Sequence, residues 1–374
     1  MSINQLSLDQ GAMSISTPQF VILGVAAFAL TGLLTWPVRA LAIRLGAMDA
    51  PNLARKTQTE PVPYLGGVAI ALGISLITLG AVFVGAENFA GENNDQLQDL
   101  ALTVLLPALV LGAMGLFDDL RSLSPWPRLL TQTVVGTVVA FVIVENGTIG
   151  TAFAGGGLAS NAAIGSWLNT LVTIVWIVGI CNSINFFDNL DGAASGAIAI
   201  AALGVFVIAF DRGQELVSAL SIVTVGATIG FLLWNKSPAK IYMGDAGALF
   251  LGIIISVATI RLNPGITPTW QSLAIPVILL AVPLLDTCVA VFSRLARGLS
   301  PLTGGKDHLS HRLVRAGLTR PMTAISLWSA SGVCALFALG VYFFADSLGS
   351  VLIAVFATGS ITALALFLRT PSHD

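Results

Sequence analysis

Apolar stretches long enough to cross a bilayer recur from one end of this chain to the other. They fall near residues 19–43, 63–86, 99–117, 128–145, 167–187, 193–210, 216–234, 245–261, 271–293, 321–344 and 348–368. A spanning helix needs about 20 such residues. In lipid, only a helix or a closed barrel satisfies its own backbone. Runs this long and this uniformly apolar predict helices, so the expected fold is all-α: a polytopic membrane protein of about 11 transmembrane helices. Composition agrees, with 55% of residues hydrophobic and only 10% charged. A soluble domain carries about 25% charged residues.

Charge sets the expected orientation. Short cytoplasmic loops are enriched in Lys and Arg. With the N-terminus outside, Arg39, Arg44, Arg55, Lys56, Arg121, Arg128, Lys236, Lys240, Arg294, Arg297, Lys306, Arg312, Arg315, Arg320 and Arg369 all fall on the cytoplasmic side. Only Arg212 and Arg261 fall outside, and the C-terminus is cytoplasmic. The first Lys or Arg is Arg39, so a cleaved signal peptide is not expected. Cys181, Cys288 and Cys334 lie in separate apolar runs and read as small core residues. No internal repeat or linker stands out. Residues 1–374 read as one integral membrane domain, with cytoplasmic loops near 44–62, 118–127, 187–192, 235–245 and 294–320.

Within that topology the acidic residues sort to one face. Asp118, Asp119, Asp188, Asp191, Asp245, Asp286 and Asp307 all fall at or just inside predicted cytoplasmic helix ends. Carboxylates converging beside Lys and Arg form the pattern of a magnesium and phosphate site. Mg²⁺ takes oxygen ligands, one or two carboxylates plus substrate phosphates, and basic side chains supply further phosphate contacts. Ionisable groups at membrane depth are functional-site candidates by default.

Five segments carry the chemistry. In Asn182, Asn185, Asp188 and Asp191, polar residues recur every three positions, which places them on one face of a helix. The amides can also glue helices together, and Asn182 reads as such a packing residue. Asp118 and Asp119 are adjacent at the end of the third window, in Gly115-Leu-Phe-Asp-Asp-Leu-Arg121. Two neighbouring carboxylates disfavour joint ionisation, which suits a base, although a solvated helix end would read the same way. The basic loop with Lys240 and Tyr242 runs into Gly244-Asp-Ala-Gly247 at a helix start. There phosphate can bind free N–H groups, or Asp245 can act as a plain N-cap. The loop from Arg294 to Arg315 holds Lys306, His308, His311 and Arg312, a set suited to clamping a diphosphate. Arg55 and Lys56 precede a Pro/Gly turn and could contact phosphate or serve as surface charge.

Together these segments resemble the polyprenyl-phosphate N-acetylhexosamine-1-phosphate transferases, the superfamily that includes the phospho-MurNAc-pentapeptide translocase. The resemblance runs from about Pro37 to Arg320. It rests on Pro63-Tyr-Leu-Gly-Gly67, Phe117-Asp-Asp119, Asn185-Phe-Phe-Asp-Asn-Leu-Asp-Gly192, Ala239-Lys-Ile-Tyr-Met-Gly-Asp245 and Asp307-His-Leu-Ser-His-Arg-Leu313, in family order. It implies transfer of a sugar-1-phosphate, GlcNAc-1-phosphate being the expected one, from a UDP-N-acetylhexosamine to a polyprenyl phosphate. UMP is released, at the cytoplasmic face of a bacterial plasma membrane, as the first step of a cell-envelope glycan. Mg²⁺, with Mn²⁺ as a substitute, is the implied cofactor. No nucleic acid is involved, and a homodimer is plausible by resemblance.

By motif position, Asp118 and Asp119 look like the pair linked to the lipid phosphate, with Asp118 the candidate to deprotonate it. Asp245 is similar to the family's magnesium ligand, with Asp188 and Asp119 as further ligands. Asp188 and Asp191 match aspartates lining the nucleotide and metal site, and Asn185 matches the amide beside them. Asn235 and Tyr242 fall where the family contacts uridine, and His308 and His311 match its histidine loop.

Two positions depart from the family pattern. Ser310 stands where the loop usually has a histidine, and Asn189 where the helix end usually has glycine. The first departure, with Gly304-Gly-Lys306, disfavours a pentapeptide substrate. Phospho-MurNAc-pentapeptide transfer stays as an alternative. So does a proton-coupled transporter, which would place its acids at mid-bilayer and often show two related halves. A catalytically dead scaffold of the same fold is a further rival. A CDP-alcohol phosphotransferase would need an aspartate signature that is absent.

Overall fold

The computed structural model describes residues 15–49, 61–88, 101–121, 123–144, 162–302 and 304–370. The expected all-helical architecture is what it shows. The helices are α1 (Thr17–Leu45), α2 (Gly66–Asn88), α3 (Leu106–Arg121, entered through a π turn Ala101–Leu105), α4 (Pro125–Val144), α5 (Ala162–Phe187), α6 (Ala193–Asp211), α7 (Glu215–Asn235), α8 (Gly244–Arg261), α9 (Thr269–Leu279), α10 (Ala281–Ala296), the short α11 (Leu309–Arg315), α12 (Arg320–Phe343) and α13 (Ser350–Arg369, after a π turn Ala345–Gly349). The only sheet among the described residues pairs β1 (Met48–Asp49) with β2 (Val62–Pro63), antiparallel.

Helix overlies the described part of every apolar window, but the count of eleven spans is not reached. Among the described residues, 8 helices are long and apolar enough to cross a membrane, or up to 9 if α9 and α10 form one bent span. The side chains of α2 are described only as far as Ala81, which leaves it a shorter apolar helix. The window at 271–293 is broken. α9 and α10 meet at Leu280 with a bend of 72°. Pro276 inside α9 and Pro283 at the start of α10 each lack an N–H for the helix ladder, which accounts for the break.

α8 is the axis of the bundle. Every residue from Ala246 to Ile260 is buried, so no face of it meets lipid or water. A helix that is apolar all round is a core helix. α1 and α7 press together along Gly226-Ala-Thr-Ile-Gly230, where an added Cβ would stand 2.1 Å from the Gly24 carbonyl and 2.3 Å from that of Phe28. Such small-xxx-small stripes let membrane helices approach closely, where lipid gives no hydrophobic drive to associate. α13 lies at the opposite extreme, with no fully buried residue.

The helices alternate in direction, which gathers their ends into two groups. One end of the bundle collects the ends of α1, α3, α5, α7 and α10 and the starts of α2, α4, α6, α8 and α12. Contacts there tie Arg128 to Asp118 and Asp245, Trp328 to Gly192, and Arg39 to the Lys240 carbonyl. The other end holds Arg261 on Thr103 and the Gln214–Asn263 pair.

Candidate active site

A cavity of about 730 Å³ opens at the first of these ends. Asp118, Asp119, Asn185, Asp188, Asp191, Asn235, Tyr242, Asp245, His308 and His311 all line it. Residues scattered over 194 positions of sequence are thus brought to one space (118 to 311).

The stripe on α5 is half helix and half turn. The helix ends at Phe187 rather than running on through Asp191. The Asn189 side chain donates to the Phe186 carbonyl at 2.6 Å, and Gly192 takes a left-handed φ of 73°. A side chain that bonds a nearby carbonyl competes with the helix ladder. Asn182, inside the helix, donates to Gln132 and to the Val178 carbonyl, so it packs helices together as expected. Asn185 donates to Asp245 Oδ1 at 2.7 Å. Burial first, then Asp245 and Asp191, raise the Asp188 carboxyl from its ordinary 3.8 to about 7.

Asp118 and Asp119 divide their tasks. Asp118 accepts from the Leu123 N–H at 2.7 Å and from Arg128 Nη1 at 2.8 Å. The same nitrogen donates to Asp245 Oδ2 at 2.5 Å, so Arg128 joins α3 to α8. Asp119 accepts the N–H groups of Asp245 and Ala246 at 2.9 and 3.0 Å. It is the anion at the start of α8, in the place where the sequence suggested a phosphate. Asp245 therefore does not cap its own helix. The approach depends on Gly115, where a Cβ would sit 2.4 Å from the Asp245 carbonyl.

On the far wall a buried network fixes the histidine loop. Asp286 is fully buried, faces His308 Nδ1 at 2.7 Å and accepts the Leu309 N–H at 2.7 Å. Arg294 faces His308 Nε2 at 3.2 Å and donates to Asp307 at 3.1 Å. A guanidinium only donates, so His308 Nε2 accepts and Nδ1 carries the proton toward Asp286. The Arg294 guanidinium lies 5.3 Å from the centre of the Phe186 ring, and it too lines the cavity. Burial, then His308, lowers His311 from 6.5 to about 4. Tyr64 and Tyr242 are both raised, by burial first and then by nearby aspartates.

Several residues expected to touch substrate serve the fold here. The Asn235 amide accepts from the Gly192 N–H and Ser195 and donates to the Ile241 carbonyl, which clips the α7–α8 loop in place. Arg312 is 1% exposed and points away from the cavity. It donates to Ser293, to the Asp307 carbonyl and to the carbonyls of Phe367 and Thr370 at the end of α13. The Lys240 ammonium sits over the Trp234 ring at 5.8 Å. Neither Lys240 nor Lys306 lines the cavity. Arg55 and Lys56 lie outside the described residues. Arg128 enters the sequence reading only as topogenic charge, yet it lines the cavity, and Arg294 in the basic loop and Asp286 among the converging acids carry no individual role there.

The donor set suits Mg²⁺. All the acidic groups offer oxygen, and Asp245 lies close enough to Asp188 to disfavour its charge. Among the described residues no three His, Cys, Asp or Glu side chains form a complete cage. Mg²⁺ is commonly held by one or two carboxylates, with water and phosphate oxygens completing the shell.

Residues 101–263 match the model of the family described as glycosyl transferase family 4. A probable undecaprenyl-phosphate N-acetylglucosaminyl 1-phosphate transferase of Bacillus subtilis is 35% identical, over 80% of this chain and 78% of the relative. A decaprenyl-phosphate N-acetylglucosaminephosphotransferase of Mycobacterium tuberculosis is 29% identical, over 97% and 93%. A phospho-N-acetylmuramoyl-pentapeptide-transferase of Streptococcus thermophilus is 30% identical, over 65% and 72%.

Proposed function

Since this chain belongs to glycosyl transferase family 4, whose members include the polyprenyl-phosphate sugar-1-phosphate transferases, we propose that it transfers GlcNAc-1-phosphate from UDP-GlcNAc to a polyprenyl phosphate. The observation that carries this reading is the meeting of Asp118, Asp188 and Asp245 with Arg128 and Arg294 around one cavity at the end of a membrane bundle. A lipid phosphate and a soluble nucleotide can both reach such a place. Phosphoryl transfer needs positioning and charge neutralisation more than covalent help from protein.

A lipid phosphate monoester has a second pKa near 6, so at pH 7 it is largely a dianion and already a nucleophile. Its oxygen attacks the β-phosphorus. The bond from that phosphorus to the bridging oxygen breaks, and UMP leaves with the oxygen and its electron pair. Asp118 and Arg128 stand together as the pair that receives the lipid phosphate, with Arg128 as the complementary charge. Arg294, held by Asp307 and Phe186, faces the diphosphate. Mg²⁺, or Mn²⁺ in its place, would be held by Asp245 and Asp188 beside the Asn185 amide and would neutralise charge on the diphosphate. The bias of Lys and Arg toward this end supports a cytoplasmic site. A soluble UDP-sugar made inside a bacterial cell would reach it there.

The test is UMP release by purified protein with undecaprenyl phosphate, Mg²⁺ and a panel of UDP-GlcNAc, UDP-GalNAc and UDP-MurNAc-pentapeptide. UDP-GlcNAc should be the best donor. Preference for the pentapeptide would replace the substrate assignment. No release with any donor would return the transporter or the inactive scaffold.

A further inference from the structure

The two positions where this sequence departs from its family pattern touch each other. Ser310 Oγ donates to Asn189 Oδ1 across 121 residues of chain. Asn189 in turn donates through Nδ2 to the Phe186 carbonyl at 2.6 Å, at the end of α5. Both ends of the amide are therefore used. Ser310 is 1% exposed, so its hydroxyl depends on this partner. A buried hydroxyl left unpaired is destabilising. Beyond the bond, the Phe186 ring takes the edge of His308, with ring centres 5.9 Å apart, and carries the Arg294 guanidinium. The contact thus joins the aspartate turn on one side of the cavity to the basic wall on the other.

We propose that Asn189 and Ser310 act as one latch: a pair of positioning residues that seats the histidine loop on the end of α5 and so sets His308 and Arg294 against the sugar-diphosphate end of the cavity. The pair rests on the function proposed above only for its catalytic readout. Ser310 is buried against Asn189, so a larger histidine there would have to displace that side chain. A glycine at 189 would remove the acceptor and leave the serine hydroxyl bare. On this proposal the two changes compensate, so Asn189→Gly or Ser310→His alone should impair the protein more than the pair.

Asn189→Ala, Ser310→Ala and the double variant are compared with Asn189→Gly, Ser310→His and their double variant. Each alanine variant should raise the KM for UDP-GlcNAc about tenfold and leave the KM for undecaprenyl phosphate within twofold. The alanine double variant should be no worse than either single. The Gly/His double variant should recover to within about threefold of wild type. Effects that multiply, or an equal rise in both KM values, would overturn the latch. Limited trypsin cleavage of the loop carrying Lys306 and Arg315 is followed alongside and needs no activity. It should quicken about tenfold in the single variants, with the melting temperature lowered by no more than a few degrees, and return to the wild-type rate in the Gly/His double variant. Cleavage unchanged in the single variants would also overturn the latch. If wild type releases no UMP, the function fails while the cleavage result still decides the latch.

Discussion

Arg128 is one side chain with two obligations, to Asp118 on α3 and to Asp245 on α8. Removing it leaves two carboxylates facing each other without a cation between them. Arg128→Ala should lower UMP release about 100-fold, the scale of losing one charge-stabilising donor. Arg128→Lys should recover only part of this, because the shorter side chain must carry its ammonium to the point where one Nη1 meets both carboxylates. Asp119→Asn separates a structural loss from a chemical one. It weakens the cap on α8 and should lower the melting temperature by a few degrees, reflecting about 1 kcal/mol. Asp245→Ala should abolish turnover, and unimpaired turnover in that variant would refute its metal role.

His311 gives a pH signature. Its folded value is lowered from 6.5 to about 4, so between those limits the unfolded chain binds a proton that the folded protein does not. Stability therefore falls as pH drops from 6.5 toward 4. His311→Gln should flatten the melting temperature over that window and leave it unchanged above pH 7. An equal slope in wild type and variant would refute the assignment. Much of this scale was legible in the sequence: Asp188, Asp191, Asp245 and Asn185 meet where their motifs placed them. Asn235 and Arg312 show the limit. Motif position locates a residue along the chain but not what its side chain bonds: Asn235 lines the cavity while clipping the α7–α8 loop, and Arg312 does not line it.

At the scale of elements, the site is an outcome of close helix crossings. α3 reaches the start of α8 only because Gly115 leaves room for the Asp245 backbone. Gly115→Ala should destabilise the protein by about 1–3 kcal/mol, the usual range for overpacking. It should also reduce kcat more than a stability loss alone would, since Asp118 and Asp119 lie within one turn of the crossing. Melting temperature and kcat at saturating substrate, measured together, test this. The apolar windows marked the long described helices, with α9 and α10 sharing one window, and missed the short α11. The break between α9 and α10 did not appear in hydropathy, and the three-residue spacing of the polar stripe gave no sign that the helix ends at Phe187. The first depends on Pro276 and Pro283, and the second on a hydrogen bond from Asn189.

At the scale of the whole molecule, the two ends of the bundle should be chemically distinguishable. A cysteine placed at exposed Lys240 should react with a membrane-impermeant maleimide in inverted vesicles and not in intact cells. A cysteine at exposed Asn263 should do the reverse, in a background where Cys288 is replaced. Labelling of both from outside would overturn the orientation. The tally of Lys and Arg supplies the orientation that this labelling tests. What it could not reveal is that the last described helix anchors the histidine loop through Arg312. A chain ending at residue 360 would remove the carbonyls of Phe367 and Thr370 from buried Arg312. It should lose UMP release while keeping a cooperative melt for the remaining helices. The consequence reaches back to the ribosome. Arg312 leaves the exit tunnel 55 residues before Phe367, so a nascent chain carries every acid and base of the cavity before its histidine loop is anchored. Translation that halts late would leave a membrane-inserted copy unable to draw on the cell's nucleotide sugars, and competence would arrive only with the final helix.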